Sequence, residues 1–474
     1  MMTHAAPTPW SEWLVAALRR PIGLQDRQRG ALQLIDWMAC AHLGQTTELG
    51  DILRRWAAKQ APGPIWVCGH SGLQAAEAAR WNGSLGSSHE MDDVHREAVV
   101  HPGDTVIPAA LAMAQRENAS PEALLDAVVV GYETAILLGL LSGPSHYAQW
   151  YSTATTGVFA SAMACARLLK LDATQTQHAL ALAGMQSAGV WQCRLEPGLA
   201  KQMAAGHSAQ AGLLAADMAA AGMTGPLSIL EGPLGWLKAT GGNLDAARAQ
   251  ALLQAAPERA WRVHEVSFKP WPACRHVHPA IECALQMHTQ GVDPDQIASI
   301  RLDTYGVALS FADQPHPQTA LQGKFSLQHG VAWGLRHGGF GLEATEPAAL
   351  AEPACAALRE RVTLVCGPVQ DRAYPHSFGA RLQLQMAIGT QHSSEVVNVL
   401  GDPENPLSPE QVRDKANQLL QASGWDLAQA KQLIGLVGAL PQAQALGPLW
   451  DSLQAGRQPQ KVSSAQASES KRSS

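Results

Sequence analysis

Three stretches rich in Ala, Gly, Ser and Thr, at 153–170, 173–190 and 207–222, constrain this chain most. Small side chains let helix axes approach closely, so these stretches predict a compact helical bundle rather than a sheet. Neighbouring signals agree. Leu32, Leu34, Ile35, Met38 and Ala39 cluster at helical spacing within 27–44. A helix is expected from near Thr105, after the turn signal His101-Pro102-Gly103. Ser120-Pro121-Glu122 opens another, with Pro in the first turn, running to about Gly139. Little strand-like alternation precedes residue 260.

The texture changes near Trp261. Val263–Phe268, Ile300–Tyr305, Arg361–Cys366 and Ala380–Met386 read as strands, with helical runs at 278–288 and 325–337 between them. Ser408-Pro409-Glu410 then opens a further helix through Leu420. A chain of 474 residues exceeds one compact core. The predicted fold is mainly α. A large, discontinuous, all-helical domain takes 1–265 with 400–455, and a smaller α+β domain takes 266–399. The Ser-rich segment 456–474 is expected to be disordered.

Composition excludes several classes. Thirty-four Lys+Arg against 40 Asp+Glu give a net charge of -6, with no basic footprint for nucleic acid. The eight cysteines form no C-x-x-C pair, and a reducing cytoplasm suits them. No signal-peptide pattern opens the chain, and the apolar stretch 123–141 holds Asp126 and Glu133, so a buried helix is expected rather than a membrane span.

Four clusters carry the chemistry. Residues 90–101 hold Glu90, Asp92, Asp93, His95, Glu97 and His101 in a sparsely charged chain. This fits a solvated loop with a helix cap as well as an acid–base or metal site, although H-x5-H is not a helix-face spacing. Tyr151-Ser152-Thr153-Ala154-Thr155-Thr156 places hydroxyls at a helix start, for N-capping or for holding an anion. Lys201 stands alone between Lys170 and Lys238, before an Ala-rich helix; it is a surface charge or a pocket cation. Lys269-Pro270-Trp271-Pro272-Ala273-Cys274-Arg275-His276-Val277-His278 is a rigid linker or a carboxylate-binding segment. Cys274, His276 and His278 supply at most a partial zinc set.

Together these segments resemble the MmgE/PrpD family, which includes 2-methylcitrate dehydratase, cis-aconitate decarboxylase and iminodisuccinate epimerase. The resemblance covers about 25–450 and rests on N-G-S-L-G-S-S-H-E-M-D-D-V-H-R (82–96), H-P-G-D-T-V-I-P (101–108) and S-T-A-T-T-G-V-F (152–159). It also rests on A-G-H-S-A-Q-A-G (205–212), F-K-P-W-P-A-C-R-H-V-H-P (268–279), K-F-S-L-Q-H (324–329) and G-D-P-E-N-P-L-S (401–408). It implies that the smaller domain is a lid and that the chain forms a homodimer. It implies work on a small di- or tricarboxylate, without metal or organic cofactor, in a basic pocket between the domains. Neither nucleic acid nor membrane is an implied partner.

The family's functional positions fall on Glu90, His101 and Lys201, and on Lys269 with Cys274, Arg275 and His278 after it. Asp92 and Asp93 follow Glu90 in the same stretch. His95 is a weaker candidate. The chain departs from the family where histidines are common: Tyr151 and Ala204 replace two of them, and Val94 stands where decarboxylase-like members have threonine. His101 is the expected general base or acid, its imidazole titrating near about 6.5 when unperturbed. Tyr151 is expected to donate a proton in place of the missing histidine, with nearby lysines lowering its phenol. Glu90 and Lys201 complete the catalytic set. Lys269, Arg275, Asp92, Asp93, His278 and Cys274 are the expected substrate-binding residues. The implied activity is a lyase that dehydrates a hydroxy-polycarboxylate. Epimerisation, cis-aconitate-type decarboxylation and binding without turnover are the alternatives.

Overall fold

Small residues do bring the helices together. The computed structural model describes residues 8–196, 198–242, 245–255 and 258–456. The Ser152–Leu168 helix packs between Pro121–Tyr147 and Ala200–Ala220, with Gly103–Arg116 alongside. A Cβ on Gly157 would lie 2.5 Å from the Thr105 side chain, and one on Gly212 would lie 2.5 Å from both Ser161 Cβ and the Val158 carbonyl. Backbone therefore meets backbone in the centre of the bundle. Pro121–Tyr147 is long and apolar enough to cross a membrane by length and composition, and its apolar window is wholly buried inside the protein.

Helix starts follow their capping chemistry. The Ser120 hydroxyl accepts from Ala123 N, and the Ser408 hydroxyl from Gln411 N. The second of these opens Pro409–Ala422, which packs on Leu24–Gly44. One hydrophobic core thus joins residues from both chain ends, Trp10 through Val266 and Ala416 through Leu453. A second core runs from Ala273 to Val399. It packs His278–Thr289 and Leu327–His337 beside a four-stranded sheet of order β4-β3-β5-β6. Here β3 is Ile297–Thr304, β4 Val362–Cys366, β5 Ala380–Met386 and β6 Gln391–Val396. Strand β3 runs parallel to β4 and antiparallel to β5.

Several expectations need correction. The large domain is not all-helical: β1 (Pro62–Val67) and β2 (His70–Leu73) form a two-stranded hairpin within it. Val263–Phe268 is not a strand. Its first half is a 3-10 turn, Arg262–Glu265, and the Val263 and Val266 carbonyls accept from the Arg29 guanidinium instead of a ladder. The helix expected over 173–190 ends at Gly184. The one expected from 207 starts at Ala200, because Lys201-Gln202-Met203-Ala204 are all good helix formers. The expected tail lies almost entirely outside the described residues.

Gly212→Val is expected to cost at least about 1–3 kcal/mol of stability by overpacking. Urea unfolding measures this; an unchanged midpoint would refute the close helix contact.

Candidate active site

The acidic loop and the junction segment are brought together by backbone pairing. Val94 and Ser267 exchange both hydrogen bonds of an isolated antiparallel bridge, at 3.1 and 2.8 Å. Two residues along this register, Asp92 stands opposite Lys269. Lys269 Nζ lies 3.3 Å from Asp92 Oδ1 and 3.6 Å from Glu90 Oε2, all three side chains being buried. Lys201, on the first turn of its helix, reaches Glu90 Oε1 at 2.5 Å. Glu90 itself sits at φ 54, in the left-handed region that a non-glycine residue occupies only under constraint.

Three lysines and two carbonyls hold that constraint. Lys324 of the lid donates to the Ser88 carbonyl at 3.3 Å. Lys415, from the C-terminal return, donates to the Met91 carbonyl at 2.7 Å and stands 2.7 Å from Asp36 Oδ1. Lys201 takes the Glu90 side chain between them.

Glu90, Lys201 and Lys269 face a cavity of about 380 Å³ lined by both domains. Glu90, His101, Tyr151 and Lys201 line it from the large domain. Lys269, Cys274 and Arg275 line it from the junction and lid. Asp92 lies behind the wall, with its Oδ2 2.7 Å from His101 Nδ1. The Asp93 carbonyl is also 2.7 Å from that nitrogen. The carbonyl accepts from Nδ1–H, with the Asp92 carboxylate alongside, which leaves Nε2 as the basic nitrogen of the neutral ring. His101 N donates to Thr153 Oγ1 at 3.0 Å, which fixes the residue from the other side.

Burial would raise the Glu90 and Asp92 carboxyls, but the surrounding cations win. Lys201 and Lys269 hold Glu90 below the usual carboxylate range, and Lys269 with His101 holds Asp92 well below it. Burial likewise lowers the Lys201 ammonium, and Glu90 overrides this to raise it well above its ordinary value. Both acids and Lys201 are therefore ionised at neutral pH.

Tyr151 departs from expectation. Its ring is buried 5.9 Å from Lys201 Nζ, yet its phenol is pushed up, not down, because burial outweighs the lysine. It stays protonated. Its Oη has no hydrogen-bond partner among the described residues, and neither does Arg275 Nη1. Two buried donors on a cavity wall without acceptors are an opening for an anionic ligand. Arg275 Nη2 is already occupied, 2.5 Å from Asp402 Oδ1.

Asp93 and His278 do not line the cavity. Asp93 is buried against Tyr132 Oη (2.6 Å) and Gly103 N (3.1 Å). His278 is fully buried, its Nε2–H donating to the Ala273 carbonyl at 3.0 Å, and burial keeps it neutral. Burial also pushes the Cys274 thiol up to about 11, so it lines the wall as a thiol. Ser152, Thr153 and Thr155 make no side-chain cap; Thr153 serves His101, while the Thr155 hydroxyl bonds the His146 ring at 2.8 Å. Among the described residues, the one His/Cys/Asp/Glu grouping close enough to share a metal is His337–Glu352–Cys355, in the lid and outside the cavity lining. Cys274, His276 and His278 do not converge.

Residues not singled out from sequence also shape the site. Arg96 lines the cavity and meets Asp402 Oδ2 at 3.1 Å. Lys324 is buried without a carboxylate partner, and burial pushes its ammonium down to about 8. Arg194 lines the cavity as well, as does His276, which the sequence suggested only as part of a partial zinc set. Arg96, Lys324 and Asp402 lie inside the segments that carry the family resemblance, so the motifs themselves were the signal.

Residues 20–249 match the MmgE/PrpD N-terminal domain, and residues 271–437 match the MmgE/PrpD C-terminal domain. The chain belongs to the MmgE/PrpD family. Within that family it is similar to the cis-aconitate decarboxylase-like protein oryM of Aspergillus oryzae, at 26% identity over 433 residues, 86% of this chain and 89% of that protein. It is also similar to the cis-aconitate decarboxylase of Aspergillus terreus, at 25% over 328 residues, 64% of this chain and 66% of that protein. The MmgE/PrpD relatives thus named are lyases.

Asp93 provides a pH test of its placement. Burial raises its carboxyl to about 7. Between about pH 4 and 7 the unfolded chain ionises there while the folded chain keeps the proton, so this residue lowers stability as pH rises through that window. Relative to wild type, Asp93→Asn should therefore gain stability from pH 4 to 7 and hold a constant offset above. Denaturant unfolding across that range measures it; a flat difference would refute the assignment.

Proposed function

We propose that this protein is a lyase acting on a small polycarboxylate, with His101 as base and Tyr151 as acid. The observation that carries the reading is the His101 imidazole, its Nδ1 held by the Asp93 carbonyl beside the Asp92 carboxylate, in a cavity that Tyr151 also lines with a buried, protonated phenol that has no hydrogen-bond partner among the described residues. Lys201, Lys269 and Arg275 supply the positive field that a carbanion beside a carboxylate requires.

In the dehydration reading, His101 Nε2 takes the proton from the carbon next to a substrate carboxylate. The C–H electron pair becomes the new double bond as the neighbouring C–O bond breaks. Tyr151 gives its phenolic proton to the departing hydroxyl, which leaves as water. The imidazolium proton then returns to the phenolate, restoring both groups. Glu90 stays ionised between the lysines and sets how much of their charge the substrate meets.

Decarboxylation is the second reading, and the names of the relatives favour it. There the bond to a carboxylate breaks, CO2 leaves, and the electron pair remaining on carbon is protonated by the His101 imidazolium. Lys201 and Lys269 stabilise the same negative charge in both reactions.

The test is a panel of citrate, 2-methylcitrate, cis-aconitate, tartrate-like and amino-dicarboxylate acids, followed by NMR in heavy water. Loss of water supports dehydration, and CO2 with a deuterated product supports decarboxylation. Deuterium exchange alone points to epimerisation, and binding without exchange would overturn the lyase reading. Tyr151→Phe and His101→Asn should each lower kcat by about 10²–10⁴-fold with modest change in KM. Full activity in Tyr151→Phe would remove it from the acid role.

A further inference from the structure

The cavity has a second half that the acid chemistry leaves unused. We propose that it receives an apolar substituent on the substrate, an alkyl or aryl group well larger than a methyl. The substrate class is then an alkyl- or aryl-substituted polycarboxylate. This rests on the reading that the lysine-lined half binds carboxylate.

The chain contains only 5 Tyr and 6 Phe. Tyr147, Tyr151, Phe311, Phe325 and Phe378 all line this one cavity, together with Trp191. So concentrated an aromatic lining is not expected of a pocket for small polar acids alone. The rings also run in one direction. Tyr151, beside Lys201, lies 4.8 Å from Trp191 between ring centroids. Trp191 lies 5.8 Å from Tyr147 and 6.4 Å from Phe311. Tyr147 and Phe311 stack across the two domains at 5.9 Å and 8°. The exposed Arg194 covers Phe311 at 4.3 Å. The row thus leads from the buried cations outward to solvent.

Rings that merely sealed the seam between domains would be buried, as Phe378 is, at 2% exposure. Tyr147, Trp191, Phe311 and Phe325 are only half-buried. They line a concave site while remaining partly exposed, and covering apolar ring surface with an apolar group is favourable. A cavity of about 380 Å³ falls in the size range of sites for drug-sized ligands, about 300–1,000 Å³.

The test titrates the full-length protein with succinate and with its butyl, hexyl, octyl and benzyl derivatives, by calorimetry. Affinity is expected to rise by up to about fourfold per added methylene, the equivalent of about 0.8 kcal/mol per buried CH2, until the cavity is filled. Phe311→Ala and Trp191→Ala, on separate elements, should each flatten that rise. Circular dichroism checks that both variants are folded. If succinate binds but affinity does not climb with chain length, or climbs equally in both variants, the apolar subsite is overturned and the carboxylate reading stands. If no member of the series binds, succinate included, the carboxylate reading falls and the subsite with it.

Discussion

The structure turns on one buried charge cluster. Glu90, Asp92 and Lys269 are withdrawn from water, and Lys201 is half-buried beside them. Removing one partner of a buried pair leaves the other uncompensated, at a cost of about 3–5 kcal/mol. Each member is therefore tied to the presence of the others. They come from three distant parts of the chain: the acidic loop, the first turn of a bundle helix and the domain junction. The pairing explains why Glu90 tolerates a left-handed backbone. The neighbouring carbonyls of Ser88 and Met91 are held by Lys324 and Lys415, so the segment has little freedom to relax.

The same cluster prepares the cavity before any substrate arrives. Fixed cations in a water-poor site stabilise developing negative charge without reorganising. On the proposed reading Glu90 moderates them, because an incoming carboxylate would share Lys201 with it. Arg275 is moderated in the same way by Asp402, which also takes Arg96 and the Ser267 hydroxyl. The cavity is thus positive but already partly balanced. This favours a ligand whose carboxylates match the remaining free donors over one that is merely anionic.

Much of the fold was legible because its determinants are local. Small-residue runs announced the bundle, Ser-Pro-Glu starts announced two helices, and Ala380–Met386 alternates as a strand should, with core and outer residues in turn. The hairpin β1–β2 was not legible. Its strands are short, irregular in register and built on Pro62, Gly63, Pro64 and Gly72, which hide alternation. Val263–Phe268 misled for the opposite reason: its β-branched pattern is real, but Arg29, far away in sequence, claims the carbonyls. In the site, Glu90, His101, Lys201 and Lys269 were legible as residue types in family segments. What they touch was not, since those contacts span a hundred residues or more in most cases. Asp93 and His278 share the same motifs and look equally functional as letters. Burial does not separate them, since Glu90 and Lys269 are just as buried; what differs is which way they face, Asp93 toward Tyr132 and His278 toward the Ala273 carbonyl. The direction of the Tyr151 phenol was misjudged because sequence shows a neighbouring cation but not the loss of water.

The return of the chain to its first domain sets an order of assembly. Lys415 neutralises Asp36 and ties down the Met91 carbonyl, yet it lies 324 residues after Met91 in the chain. Synthesis proceeds from the N-terminus at about 5–20 residues per second. During that interval the acidic loop exists without its final cation. A nascent chain can build most of its bundle and its whole lid while the acidic loop is still unanchored. A chain shortened before this segment would keep its recognisable motifs but lose the means of shaping them.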